Sequence, residues 1–213
     1  MVADRVAGAA ARAGRDPGEV TLIVITKGRD VARIRELYDQ GIRDFGENRA
    51  QELASKVGEL PGDVRWHFVG PLQTNKVNRV RASTHLLHSL DRPRLVRAWA
   101  RDPSRRVPAL AQVNIGGEAQ KHGAAPDEVE ELVEMALSAG VEVKGLMAMA
   151  PRVDHPEETR PYFRRLRELS ERLAGRYDGM GELSMGMTED YEVAVEEGAT
   201  MVRVGRAIFG EGS

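Results

Sequence analysis

Short runs of apolar and β-branched residues alternate along this chain with longer segments whose apolar positions recur every three or four residues. The short runs predict strands over 20–27, 42–45, 66–69, 85–89, 109–115, 141–148, 182–185 and 201–204. The longer segments predict helices over 2–13, 31–40, 48–57, 74–81, 92–101, 127–139, 157–176 and 189–197. Gly41, Gly58, Gly140 and Gly198 each stand where a helix should stop. Asp30, Asn48, Asp91 and Thr188 stand where a side chain would cap a start, and Asn48 with Gln51 has capping-box spacing. The first strand is mostly apolar on both faces, as a parallel strand covered on both sides is. Eight strand–helix units predict an α/β fold, a single (β/α)8 TIM barrel spanning 1–213, although about 250 residues is more typical. An open doubly wound sheet competes, but no G-x-G-x-x-G follows the first strand.

Composition narrows the class. With 41% hydrophobic and 30% charged residues, the chain reads as an ordinary globular protein. A net charge of -2 gives no reason to expect a nucleic-acid or membrane surface, and no stretch approaches the ~18 apolar residues of a membrane span. Cysteine is absent, which excludes thiolate nucleophiles and disulfides. The first 15 residues have no apolar segment of signal-peptide type, and a cytoplasmic location is expected.

In a barrel the chemistry gathers where strands end. Lys27 ends the first strand and shares a face with Thr21, Ile23 and Ile25. It either caps the strand and points to water, or sits partly desolvated with its ammonium pKa pushed down, ready to condense with an aldehyde. The segment from Ser184 through Gly186 to Thr188 joins a strand to a helix start, and 202–206 brings Arg203, Gly205 and Arg206 to the end of the last strand. The last two strand ends are where this fold frequently holds phosphate. A phosphorylated aldehyde satisfies both halves, and pyridoxal 5′-phosphate is one. Arg203 would then face the ring nitrogen, disfavouring its protonation and weakening the ring as an electron sink.

Five blocks carry a resemblance: 45–52 (FGENRAQE), 66–76 (WHFVGPLQTNK), 144–149 (KGLMAM), 183–190 (LSMGMTED) and 202–210 (VRVGRAIFG). On these the chain resembles the pyridoxal-phosphate homeostasis proteins, the YggS/PROSC family. The resemblance implies a barrel like the alanine racemase N-terminal domain, with Lys27 as the internal aldimine lysine. It implies ring contacts from Asn48 and Arg203 and phosphate contacts around Ser184, Gly186, Gly205 and Arg206. Gly28, Arg49 and Arg206 depart from the family's usual residues. His67 is a strand histidine, more typically hydrogen-bonded core, that the resemblance raises as a candidate contact. Met147 suits the barrel core and is in reach of the ring. Glu47 is either a rim charge or a partner of Lys27. Gln73, Asn75 and Lys76 read as a solvated helix start, and the 128–131 and 164–167 charge clusters as solvated faces. Tyr38, Tyr162, Tyr177 and Tyr191 all fall in or just after predicted helices, so no second base for racemisation is evident. A carrier of pyridoxal phosphate, delivering it to apo-enzymes that use it, is therefore expected ahead of a slow amino-acid racemase. A colourless phosphosugar-binding barrel is the third option, and a monomer is favoured because the racemases' second domain is missing.

Overall fold

A computed structural model describes residues 1–118, 120 and 122–210. Eight strands form, at Thr21–Ile25 (β1), Asp44–Glu47 (β2), Arg65–Phe68 (β3), Leu86–Leu90 (β4), Ala109–Val113 (β5), Val143–Ala148 (β6), Glu182–Ser184 (β7) and Met201–Val204 (β8). Each pairs in parallel with the next, and β8 closes onto β1 with Thr21 opposite Met201 and Val24 opposite Val204. The helices are Val2–Arg12 (α1), Val31–Asp39 (α2), Ala50–Val57 (α3), Val77–Arg81 (α4), Pro93–Trp99 (α5), Val129–Ser138 (α6), Arg160–Ala174 (α7), Tyr191–Glu196 (α8) and Arg206–Phe209 (α9). The expected closed (β/α)8 architecture is present. No helix among the described residues is long and apolar enough to cross a membrane.

Two apolar clusters follow from strand alternation. Outward positions such as Val24, Phe45, Leu87, Ala111 and Val202 pack against the helices in one large core. Inward positions build a smaller cluster of Ile23, Leu86, Leu110, Met147 and Met201 inside the barrel. Met147, expected either as core or as a ring contact, is 1% exposed in this inner cluster. Gly46 leaves room for Ile25, which packs against this cluster: a Cβ there would lie 2.6 Å from Ile25 Cδ1. Gly145 is more constrained still. Its φ is +151°, and a Cβ would sit 1.9 Å from the Glu182 carbonyl oxygen on β7.

Local expectations met mixed outcomes. Asp30 caps α2 through its side chain, and Gly41, Gly140 and Gly198 take positive φ. Gly58 is instead a right-handed C-cap with φ −76°. The helices expected to start at Asn48, Asp91 and Thr188 have Arg49, Arg92 and Asp190 at their N-caps, and none is closed by its N-cap side chain. Asn48 thus makes no capping box, because the chain stays extended one residue longer. Arg164 and Arg167, expected to be solvated, reach Glu197 at 3.0 and 3.6 Å, and Arg160 joins them at 3.1 Å. These contacts tie α7 to the residue that follows α8.

Gly145→Ala is expected to cost about 3 kcal/mol or more of unfolding free energy, since both the backbone angle and the neighbouring strand oppose a side chain. Urea denaturation reads this directly; a loss below ~0.5 kcal/mol would contradict the tight β6–β7 approach.

Candidate functional site

β1 ends at Ile25, two residues earlier than expected, so Lys27 lies in the loop beyond it and is exposed. Of the two readings left open for Lys27, the side chain reaching water is the one the fold produces. Its backbone is nonetheless held on both sides. Thr26 is fully buried and donates its hydroxyl to Glu47 Oε1 at 2.6 Å. Lys56 Nζ donates to the Thr26 carbonyl at 2.7 Å and to Glu47 Oε1 at 2.5 Å. The Gly28 N–H donates to Glu52 Oε2 at 2.7 Å. Glu47 and Lys56 are 0% and 5% exposed, which makes them a buried ion pair. Glu47 is thus a partner of Lys56, while Lys27 has neither hydrogen bond nor ion pair among the described residues.

The same loop leans on α9. A Cβ on Gly205 would come within 3.1 Å of the Ile25 carbonyl oxygen. Arg29 donates to the Gly210 carbonyl at 3.0 Å and lies over the Phe209 ring at 5.2 Å. Lys27 and the Gly205–Arg206 turn are therefore neighbours at one rim of the barrel. The first N–H groups of α9 have no intrahelical acceptor, so they are donors available to an anion. Beside them, Gly186 takes φ +90° where a Cβ would strike Ala194 Cβ at 2.5 Å. Asp190 accepts the Met187 N–H at 2.6 Å and so shapes the turn carrying half-buried Thr188. Arg206 is exposed and pairs with Glu189 at 2.8 Å.

Beneath this rim lies a buried cation. Arg203 on β8 is 4% exposed, and burial pushes its guanidinium down to about 10, still fully charged at neutral pH. It donates to the Ala148 carbonyl at 2.9 Å and to Ser184 Oγ at 2.6 Å. Ser184 Oγ lies 2.8 Å from His88 Nδ1, His88 Nε2 lies 2.9 Å from His67 Nδ1, and His67 Nε2 lies 3.1 Å from Asp44 Oδ1. Arg65 closes the line with a fork onto both Asp44 oxygens, at 2.7 and 2.5 Å. Ser184 and His67 are thereby spent inside the barrel, linking Arg203 to Asp44 and Arg65. His88 is fully buried, and desolvation, together with the nearby Arg203 charge, holds it well below the usual imidazole range. It carries no clear sequence signal, because Leu86–Leu90 is buried on both faces and its register slips between Leu87 and Leu90.

Asn48 stands apart from this line, with its Oδ1 buried and unpartnered. It lines a cleft of about 640 Å³ together with Arg49, Gln73, Lys76, Arg92 and His122. Gln73 and Lys76, expected to be solvated, therefore face a basic cleft formed by residues that follow β2, β3, β4 and β5. Of the four tyrosines, Tyr38 and Tyr177 donate to Asp63 and Glu134 at 2.6 Å, and Tyr191 lies beneath Arg5 with its hydroxyl unpartnered.

Residues 7–212 match the family model described as alanine racemase, N-terminal domain. A pyridoxal phosphate homeostasis protein from Aquifex aeolicus is 44% identical over 218 residues, covering 99% of this chain and 95% of that one. The chain belongs to the pyridoxal phosphate homeostasis protein family. PipY of Synechococcus elongatus, solved with PLP bound, superimposes with a TM-score of 0.82 at 35% identity, covering 99% of this chain and all of that one. Alanine racemase from Corynebacterium glutamicum shares the fold at a TM-score of 0.69 and 15% identity, this chain spanning 60% of its length. The buried Glu47–Lys56 pair thus lies under the first βα loop, while the line from Arg203 runs through the barrel to Asp44 at the start of β2.

Lys56→Met is expected to cost about 3–5 kcal/mol by leaving Glu47 buried and unpaired, and Glu47→Gln added to it should recover part of that loss. Denaturation of the single and double variants checks this, and a double variant weaker than Lys56→Met would contradict it. Asp44 gives a pH prediction. Burial alone would raise its pKa, but hydrogen bonds from Arg65 and His67 outweigh burial and hold the carboxyl well below its ordinary value. A depressed folded pKa contributes stability above the unfolded value of about 3.9 and loses it as pH falls. Unfolding free energy should thus fall more steeply between about pH 5 and 3 in the parent than in Asp44→Asn; parallel curves would refute it.

Proposed function

We propose that this chain binds pyridoxal 5′-phosphate at the barrel mouth, with the Lys27 amine as covalent anchor, and acts as a carrier in cellular supply of the cofactor. The observation that carries this reading is an unpaired amine on a clamped backbone, set on a rim whose floor is a buried, charged Arg203. The residues present suit the group. Free N–H donors at 205–207, with Thr188 and Gly186 beside them, suit a phosphate; the Arg203 guanidinium suits a ring nitrogen as acceptor; Asn48 keeps an unused oxygen. PLP bound to PipY supports the same choice of ligand.

Each residue has a distinct task. Lys27 supplies the nucleophilic nitrogen once deprotonated, and water leaves when it condenses with an aldehyde. Lys56 and Glu52 hold the loop so that only the lysine side chain must adjust. Arg203 donates toward the ring and, being charged, keeps a proton off the nitrogen it faces. When bound, the cofactor supplies a conjugated aldehyde; this arrangement favours holding that aldehyde over drawing electrons into the ring. A carrier role with apo-enzymes as recipients follows from that balance.

Purified protein should absorb in the near ultraviolet or visible after incubation with pyridoxal phosphate. Borohydride should abolish that band and leave the mass increment on Lys27, and Lys27→Ala should lose both. An increment on another lysine would overturn the anchor. Incubation with amino acids in heavy water should give no sustained α-proton exchange; exchange that depends on Lys27 would replace the carrier with a racemase.

A further inference from the structure

We infer that His88 is the positioning residue for Arg203, acting through Ser184 within a one-way hydrogen-bond chain that crosses the barrel interior to Asp44. The inference rests on the reading that Arg203 meets the ligand, but the chain itself is a property of the protein alone.

The sense of the chain follows from its ends. A guanidinium can only donate, and a carboxylate held by Arg65 can only accept. Ser184 Oγ receives an N–H from Arg203 at 2.6 Å, so its one proton must go elsewhere, and His88 Nδ1 at 2.8 Å is the acceptor in reach. That nitrogen must be bare, which puts the His88 proton on Nε2. Nε2 faces His67 Nδ1 at 2.9 Å, so that nitrogen is bare as well. The His67 proton is then on Nε2, pointing at Asp44 Oδ1 3.1 Å away. Every group is satisfied, both imidazoles are neutral, and no other neutral assignment does this. The opposite tautomers would aim a bare His67 nitrogen at the Asp44 carboxylate. Adding a proton to His67 allows the reversal, but His88 would then donate to Ser184 and strand the serine proton in a site with no exposed surface. Burial of His88, which disfavours its charged form, agrees with the neutral chain.

The consequence falls on Arg203. Its two terminal nitrogens are fixed by Ser184 and the Ala148 carbonyl, and the serine is oriented only because His88 takes its proton. The remaining guanidinium N–H groups are thus aimed by a histidine that is itself out of reach of the mouth. Asp44, Arg65 and exposed His85, whose ring stacks edgewise on His67 at 5.7 Å, are the other titratable groups at the far end.

Two measurements on the full chain test this. Long-range proton–nitrogen spectra of ligand-free protein labelled at histidine should show His67 and His88 as neutral Nε2–H tautomers near pH 7. A Nδ1–H tautomer or an imidazolium at His88 would overturn the chain. Pyridoxal 5′-phosphate titrations then compare His88→Asn, whose amide oxygen stands near the lost Nδ1, with His88→Gln, whose amide stands near the lost Nε2. His88→Asn should retain affinity within about threefold, whereas His88→Gln should lose about tenfold, the worth of one hydrogen bond to a charged network. Equal losses would mean that His88 only fills space and would overturn its positioning role. Failure of the parent protein to bind would defeat the ligand reading, with the tautomer spectra still deciding the chain.

Discussion

A permanent positive charge inside the barrel is the constraint around which this interior is arranged. Transferring a guanidinium from water into a protein core carries a penalty of several kcal/mol unless acceptors meet it. Arg203 is met by one carbonyl and one hydroxyl, with the carboxylate of Asp190 as the nearby negative charge that favours its charged form. The hydroxyl needs an acceptor of its own, and this requirement passes from Ser184 to His88 to His67 until Asp44 and Arg65 end it beside solvent. The barrel lumen therefore carries a polar line. Beside it Ile23, Leu86, Leu110, Met147 and Met201 form an apolar cluster, whose low-polarity surroundings strengthen the hydrogen bonds of that line.

A second buried charge performs a different task. Lys56 reaches under the first βα loop and grips the carbonyl of Thr26, while its counter-charge Glu47 takes the Thr26 hydroxyl. Burial of this pair contributes little net stability by itself, since desolvation offsets most of the attraction. Its return is conformational. The backbone at Lys27 is fixed without any of the fixing groups touching the lysine amine.

Much of the fold was legible because β8 and its neighbours follow simple rules. The expected strand 201–204 matches Met201–Val204, and the inward parity of Ile23 and Ile25 on β1 is as alternation dictates. Helix starts were less legible. Asp91 looks like a cap, but its carboxylate pairs with Arg92, and a residue type cannot announce which of two hydrogen bonds it will make. The place of Arg203 and Gly205 at a strand end was readable. Ser184 was readable as a strand-end residue but not as interior, because a three-residue strand carries too little periodicity to show its facing. Lys56 was not singled out, because a lysine on an amphipathic helix carries no mark of burial. Its partner at i−4, Glu52, and its spacing of three from buried Leu53 were the available signals. His88 offered none, since a strand apolar on both faces hides its own parity.

The clamped loop has a kinetic meaning. A side chain swinging from an immobile backbone confines its amine to a small volume above the mouth, which raises its effective concentration there far beyond that of free lysine in solution. If Lys27 is the anchor proposed above, departure of a bound aldehyde would thus be followed by rapid recapture unless a competing amine intercepts it. Because Lys27 stands at the open rim rather than inside the lumen, such an amine can approach from outside. Hand-off would then proceed by exchange at the edge, with the barrel staying shut throughout.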